Sequence, residues 1–302
     1  MYLARVVSRM KKDIPHIEFN KKDDTNFEFE IVPIHKIAKN KKQFTHSPEL
    51  PHQVKFYNLI FFTSGTGRHF IDFNWYPVKE NSLIYLAKEQ INAFDFSGDL
   101  EGYCIIFTEK YFVQCFPNLP EDLVFRLFNP QLFSPIVQIP QESTFQSYFK
   151  LLQDEYQSFE SFNRQTLINA LFTVLISKAE AIKQNQPFHI KDHSKITTFQ
   201  KFNSLIEENL TKSRSANFYA KELGITYKHL NSICKELMHK TAKSIIDDLI
   251  ILKAKRLLIN SDIKSTELAY QLGFEDPTNF TKYFKKNTNL TPKSFIKSVL
   301  KD

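Results

Sequence analysis

Glycine is scarce in this chain, six in 302 residues, and so are cysteine and methionine, three of each, and tryptophan, which occurs once. Cys104, Cys115 and Cys234 lie far apart with no Cys-x-x-Cys. That spacing argues against a disulfide framework and a thiolate zinc site, so each thiol is expected to fill apolar space. Long apolar runs are missing too: the longest, ALFTVLI at 170–176, falls far short of the ~20 residues of a membrane span. The opening MYLARVVSRMKK lacks the apolar core of a signal peptide. A soluble, cytoplasmic chain with no membrane partner is expected.

An excess of either charge is missing from the first two thirds. Residues 1–194 carry 21 Lys/Arg against 22 Asp/Glu, whereas residues 195–302 carry 19 against 11, so the net +7 of the chain comes from its last third. Clustered Lys and Arg favour a polyanion through counterion release. What is abundant is aromatic: thirty Phe and twelve Tyr point to cores packed with rings.

From 54 to 107, runs rich in Phe, Ile, Val and Tyr (VKFYNLIFFT, RHFIDFNW, SLIYLA, INAFDF, GYCIIF) alternate with turn-like SGTG, KEN and SGDLE. Short strands at this spacing predict an antiparallel sandwich or barrel. After Pro140 the period changes. Phe145, Phe149, Leu152, Tyr156 and Phe159, then Leu167, Leu171, Leu175 and Ala179, recur at three and four and predict two helices of about 17 residues. Their apolar faces can pack on the β-domain, on each other or along a dimer seam. A polar stretch containing Pro187 reads as a linker. The resulting division is a β-domain at 1–140, a helical dimerisation segment at 141–183, a linker at 184–198 and a helical domain at 199–302.

The helical domain contains one device twice. Ala220, Leu223 and Gly224 recur 49 residues later as Ala269, Leu272 and Gly273. In each copy a short helix is stopped by a glycine that accepts the left-handed conformation. The next helix then restarts, capped by Thr226 in one copy and by Asp276 with Pro277 in the other. Two short helices joined by a tight turn make a helix-turn-helix, here at 217–237 and 266–286, which projects its second helix toward a DNA major groove. Leu230, Ile233 and Leu237 are predicted to face inward in the first such helix, and Phe280, Tyr283 and Phe284 in the second. Lys228, Asn231, Ser232 and Lys235, and Thr278, Thr281, Lys282 and Lys285, then face outward. Asn, Lys and Thr suit base edges, while Lys235, Lys285 and Lys286 are placed for phosphates. The apolar helix AKSIIDDLIILKAKRLLIN at 242–260 is expected to set the separation of the two units.

The stretch ELAYQLGFEDPTNFTKYFKKNTNLTPKSF, with its Gly-Phe turn, Phe-x-x-x-Phe-Lys helix and Thr291-Pro292, resembles the AraC-type family of bacterial transcription regulators over about 100 residues. More weakly, GTGRHFIDFNWYPVKENSLIYLA resembles that family's cupin-like sensor domain. The resemblance implies a multidomain α and β protein: an N-terminal cupin-like β-barrel with a helical pair, and a C-terminal all-α double helix-turn-helix domain. It implies a DNA-binding regulator, with activator the family's more frequent role, acting as a homodimer on double-stranded DNA and engaging RNA polymerase if it activates. Base reading falls on Lys228, Asn231, Ser232, Thr278, Thr281 and Lys282, and phosphate contact on Thr226, Lys235, Lys285 and Lys286. Asn289 and His239 stand where the family usually has Gly, Ile296 where Arg is common, and Ser265 where an apolar residue is common. A small-molecule effector is implied for the barrel, for which His52, Tyr57, Arg68 and Tyr85 are the polar candidates.

Other chemistry is weakly supported by the sequence. His35, His46, His52 and His69 contain no tight His pair, so no metal or other cofactor is expected. Gly65 and Gly67 precede strand-like residues, which favours a hairpin over a phosphate loop. A cupin enzyme with a nucleic-acid-tethering tail, and a module whose basic helices contact an acidic protein, remain the alternatives to the regulator.

Overall fold

The computed structural model describes residues 15–19, 28–40, 46–116, 123–129, 134–158, 163–184, 193–260 and 263–301. They form two units, one within His16–His189 and one from Ile190 onward.

The first unit holds β1 (His16–Ile17), β2 (Phe29–Pro33), α1 (Ile34–Lys39), β3 (His52–Val54), β4 (Tyr57–Ser64), β5 (Thr66–Ile71), β6 (Asn74–Lys79), β7 (Ser82–Leu86), β8 (Ile91–Phe94) and β9 (Glu101–Phe107). These are followed by α2 (Glu109–Cys115), α3 (Leu123–Phe128), β10 (Ile136–Gln138), α4 (Phe145–Gln157) and α5 (Arg164–Gln184). The strands form two five-stranded sheets, ordered β1-β3-β8-β5-β6 and β10-β7-β4-β9-β2. All described pairings are antiparallel except that of β1 with β3. The expected cupin-like barrel is therefore open: among the described residues no strand of one sheet pairs with a strand of the other.

β4 lacks the polar/apolar alternation of a half-exposed strand because it has two buried faces. Tyr57, Leu59 and Phe61 join Leu83, Tyr85, Ile105 and Phe107 against the helices. Ile60 and Phe62 join Ile84, Leu86, Val54, Ile71 and Phe94 between the sheets. The three turn-like stretches of the sequence do separate strands, but RHFIDFNW is not one strand. It folds back at Asp72 and Phe73, both at positive φ, 42° and 72°, with Ile71 opposite Asn74. The Asp72 carboxylate supports that turn by accepting from Gln90 Nε2 at 2.8 Å and the Ile91 N–H at 3.2 Å.

Two helices follow residue 140, as the periodicity predicts. α4 buries Phe145, Phe149 and Leu152. α5 faces differently from expectation: Ile168, Phe172, Leu175, Ile176 and Ala179 are buried, while Leu167 is 42% exposed and Leu171 half-buried. Phe172 decides that register, its ring lying 5.0–5.4 Å from those of Phe107, Tyr111 and Phe29. Phe159 and residues 185–192 of the expected linker lie outside the described residues, and residues 193–198 are helical. Cys104 and Cys234 are buried and Cys115 half-buried.

The second unit contains α6 (His193–Asn209), α7 (Ala216–Glu222), α8 (Tyr227–Met238), α9 (Ala242–Asn260), α10 (Ser265–Gln271), α11 (Pro277–Thr288) and α12 (Pro292–Lys301). No helix among the described residues is long and apolar enough to cross a membrane. α9 is apolar around much of its circumference because α7, α8, α10, α11 and α12 all pack on it. It buries Ala242, Ile245, Ile246, Ile250, Ala254 and Leu258.

The two turns are built alike. Gly224, at φ +68°, donates to the Lys221 carbonyl and Ile225 to that of Ala220. Gly273, at φ +72°, donates to Tyr270 and Phe274 to Ala269. This pair of bonds terminates each first helix. The turns differ in their surroundings: a Cβ on Gly224 would meet nothing within 4 Å, whereas one on Gly273 would lie 2.1 Å from the Thr211 carbonyl oxygen.

Two measurable consequences follow. Gly224→Ala should destabilise the C-terminal unit by about 1–2 kcal/mol, the left-handed penalty alone. Gly273→Ala should cost about 2–5 kcal/mol, because the Thr211 backbone must also move. Equal shifts of the two variants in denaturant unfolding would contradict this. In the first unit, burial pushes His52 down to about 4 and His69 down to about 3, with repulsion from neighbouring histidines adding to each. Unfolded histidine takes up a proton near 6.5, so the stability of this unit should be full above pH 6.5 and fall as pH drops toward 4 and then 3. His69→Asn should flatten the slope between pH 6.5 and 5; an unchanged slope in unfolding curves would exclude that origin.

Candidate nucleic-acid interface

α8 starts at Thr226, whose Oγ1 accepts the His229 N–H at 3.1 Å. α11 starts at Asp276, whose Oδ1 accepts the Thr278 N–H at 2.7 Å, with Pro277 at the first helical position. Short polar acceptors at these positions satisfy donors that the first turn leaves unpaired. Both helices end on a left-handed residue, His239 at φ 53° and Asn289 at φ 61°, the two places where a glycine would be usual. The helices match residue for residue at an offset of 50, and one extra residue, Glu275, makes the second turn longer than the first.

Burial assigns the faces. Leu230, Ile233, Cys234 and Leu237 point inward in α8, and Phe280 and Phe284 in α11. Tyr283 is half-buried, as its polar tip requires: its hydroxyl donates to Asp247 Oδ1 on α9 at 2.6 Å, and burial together with that carboxylate raises its pKa. The outward set comprises Lys228, Ser232 and Lys235 on α8, and Thr278, Lys282, Lys285 and Lys286 on α11, all exposed. Among the described residues, the side chains of Lys228, Ser232, Lys235, Lys282, Lys285 and Lys286 have no hydrogen-bond or ion-pair partner. They stand free for a ligand outside the chain.

Three predicted contact residues are already engaged. The Thr226 hydroxyl caps α8 and keeps only its own proton to offer. Thr281 is half-buried and donates to the Pro277 carbonyl at 3.0 Å. Asn231 is half-buried, and its Oδ1 accepts the Ala242 N–H at 3.0 Å. Periodicity places Asn231 and Thr281 at the edge of the outward face, so their inward bonds were not legible in the sequence. Conversely, Tyr227, His229 and Asn279 are exposed in the first turns of the two helices, where recognition helices commonly meet base edges. Their N-terminal position was the available signal. Glu236, which matches Lys286 of the second helix, is tied down by Lys195 at 2.7 Å.

The four effector candidates are not brought together. Tyr57 packs against Phe107 and Phe128 on the helix-covered face of its sheet. Tyr85 lies in the same core and donates to the Ala179 carbonyl at 2.7 Å. His52 is on the other sheet, with Nδ1 3.0 Å from the Leu50 carbonyl. Arg68 lines a cleft of about 190 Å³ together with His69, Phe94 and Phe96; its Nε donates to Asp95 at 2.7 Å and its guanidinium lies 4.3 Å from the Trp75 ring centre. Among the described residues, no three His, Cys, Asp or Glu side chains are placed to hold a metal ion.

Residues 219–298 match the family model described as a helix-turn-helix domain. An uncharacterised HTH-type transcriptional regulator in the cgkA 5′ region of Pseudoalteromonas carrageenovora is 31% identical over 119 residues, which is 39% of this chain and 64% of that protein. The HTH-type transcriptional activator RhaS of Salmonella schwarzengrund is 28% identical over 88 residues, 29% of this chain and 32% of its own length. The chain thus spans less than two thirds of these relatives. Among solved structures, unsaturated fatty acid-bound ToxT from Vibrio cholerae aligns over 91% of this chain and 96% of its own, at 15% identity and a TM-score of 0.45. The family match, taken with the doubled turn and the two exposed helices, assigns residues 219–298 as a helix-turn-helix domain.

Proposed function

We propose that the chain is a sequence-specific DNA-binding transcriptional regulator, with activation the favoured sign, that acts in the cytoplasm and catalyses no reaction. One observation carries this reading: two helices in matching register present unpartnered Lys and Ser side chains from the part of the chain that holds all the excess positive charge. Phosphates recruit such a surface, and base edges select among sequences. Lys228, Ser232, Thr278 and Lys282 are assigned to bases. Lys235, Lys285 and Lys286 are assigned to phosphates, with Thr226 donating its remaining hydroxyl proton there. RNA polymerase is the partner that activation would require.

The functional unit in this reading is a homodimer joined through α5. Leu167, Ala170 and Val174 form an exposed apolar stripe on that helix, at the spacing of one face and opposite the buried one. A small-molecule effector, if it binds the cleft at Arg68, would act by favouring one of two dimer arrangements, which requires different affinity for the two.

Gel shifts across salt test the DNA reading. Affinity for a selected operator should fall steeply with salt, and Lys285→Ala should weaken cognate and random DNA alike while lowering the salt slope by about one. Lys282→Ala should instead cost about 1–3 kcal/mol on the cognate site and relax preference at one position; equal losses on all sequences for both variants would defeat the assignment. For the dimer, Leu167→Glu with Val174→Glu should convert the sedimenting species to monomer without unfolding it. An unchanged sedimentation coefficient would remove α5 as the seam.

A further inference from the structure

The two copies of the device solve one problem differently. After each outward helix the chain makes a left-handed residue, a Thr cap and a new helix: His239, Thr241 and Ala242 in the first copy, and Asn289, Thr291 and Pro292 in the second. Thr241 Oγ1 accepts the Ser244 N–H at 3.1 Å, and Thr291 Oγ1 accepts the Ser294 N–H at 3.1 Å. The copies part at the first helical residue. Ala242 is fully buried and carries an N–H that the helix cannot use; Pro292 has no N–H at all. The donor that proline abolishes in the second copy is met in the first by Asn231 Oδ1 at 3.0 Å. The residue matching Asn231 in the second copy, Thr281, has nothing to accept there and turns its hydroxyl back to the Pro277 carbonyl.

We infer that Asn231 is a positioning residue that fixes α8 against the start of α9, and not a reader of bases. The pairing of Asn with a donor in one copy, and of Thr with proline in the other, is what a capping requirement produces. α11 is tied to the same helix by Tyr283 and Asp247, one and a half turns further along α9. Each recognition helix thus has a polar anchor on one rod, and the angle between them rests on those anchors. In α8, base selection is left to the exposed Lys228 and Ser232.

This inference rests on the DNA reading only for its consequence, and its test separates the two. In the full chain, Asn231→Ala should raise the unfolding equilibrium constant of the C-terminal unit by about tenfold or more, the effect of stranding a buried donor. The same substitution placed on Ala242→Pro should change it by less than about threefold, because the donor is gone. On DNA, Asn231→Ala should weaken binding to cognate and single-base-variant operators by the same factor. The double variant should recover affinity to within about threefold of Ala242→Pro alone. Equal losses from Asn231→Ala with and without Ala242→Pro, or a base preference that changes at one position in the double variant, would overturn the inference. A wild-type chain that binds all sequences equally would sink the regulator reading itself, and the unfolding comparison would still judge the contact. Should Ala242→Pro alone unfold the chain, Asn231→Ser, which keeps an acceptor, should retain more stability than Asn231→Ala; equal values would overturn the inference by that route.

Discussion

The C-terminal domain depends on stopping a helix and restarting another within three or four residues, and only a left-handed residue makes that turn without strain. Gly224 and Gly273 are two of the six glycines in the chain. With each in place, the carbonyls of Ala220 and Lys221, or of Ala269 and Tyr270, find donors inside the turn, and the next helix sets off with its apolar side against α9. The polar side is exposed as a consequence, since a helix packed by one stripe must show the other to solvent or to a ligand.

The repeat is not two independent modules. Thr211, in the segment before the first unit, places its carbonyl against Gly273 of the second, and the Arg214 guanidinium lies 3.7 Å from the Phe274 ring centre in the same turn. α9 receives both outward helices on one core. Relative placement of the two recognition surfaces is therefore a property of the packed domain, held by a buried apolar rod and by polar bonds at Ala242 and Asp247. The asymmetry of charge between the helices, Glu236 paired to Lys195 in one and Lys286 free in the other, means that the second presents the stronger positive surface.

In the N-terminal unit, aromatic abundance becomes a two-layer solution. One sheet is covered by α4 and α5 through Phe61, Phe107, Phe145, Phe149 and Phe172, and the space between the sheets is filled by aliphatic residues with Phe56, Phe62 and Phe94. Burial leaves His52 and His69 neutral inside this unit, and the polar residues singled out for ligand binding are divided between separate faces. The Arg68 cleft sits apart from Tyr57 and Tyr85, which are structural: one is packed among rings, the other hydrogen-bonded to helix α5.

Much was legible in the sequence because it is local. Runs of Phe, Ile, Val and Tyr between turn residues located most strands, three-to-four periodicity located the two helices after Pro140, and the 49-residue echo of Ala, Leu and Gly identified the doubled turn; caps at Thr226 and Asp276 depend on neighbours two or three residues away. Tertiary structure decided the rest. Whether the described strands close or form two sheets, that Phe172 rather than Leu171 turns to the core, and that Asp72 reverses what reads as one strand are settled by partners distant in sequence. The same holds for Asn231, whose outward helical position says base edge, while an unpaired N–H at Ala242, brought close only by folding, takes its oxygen.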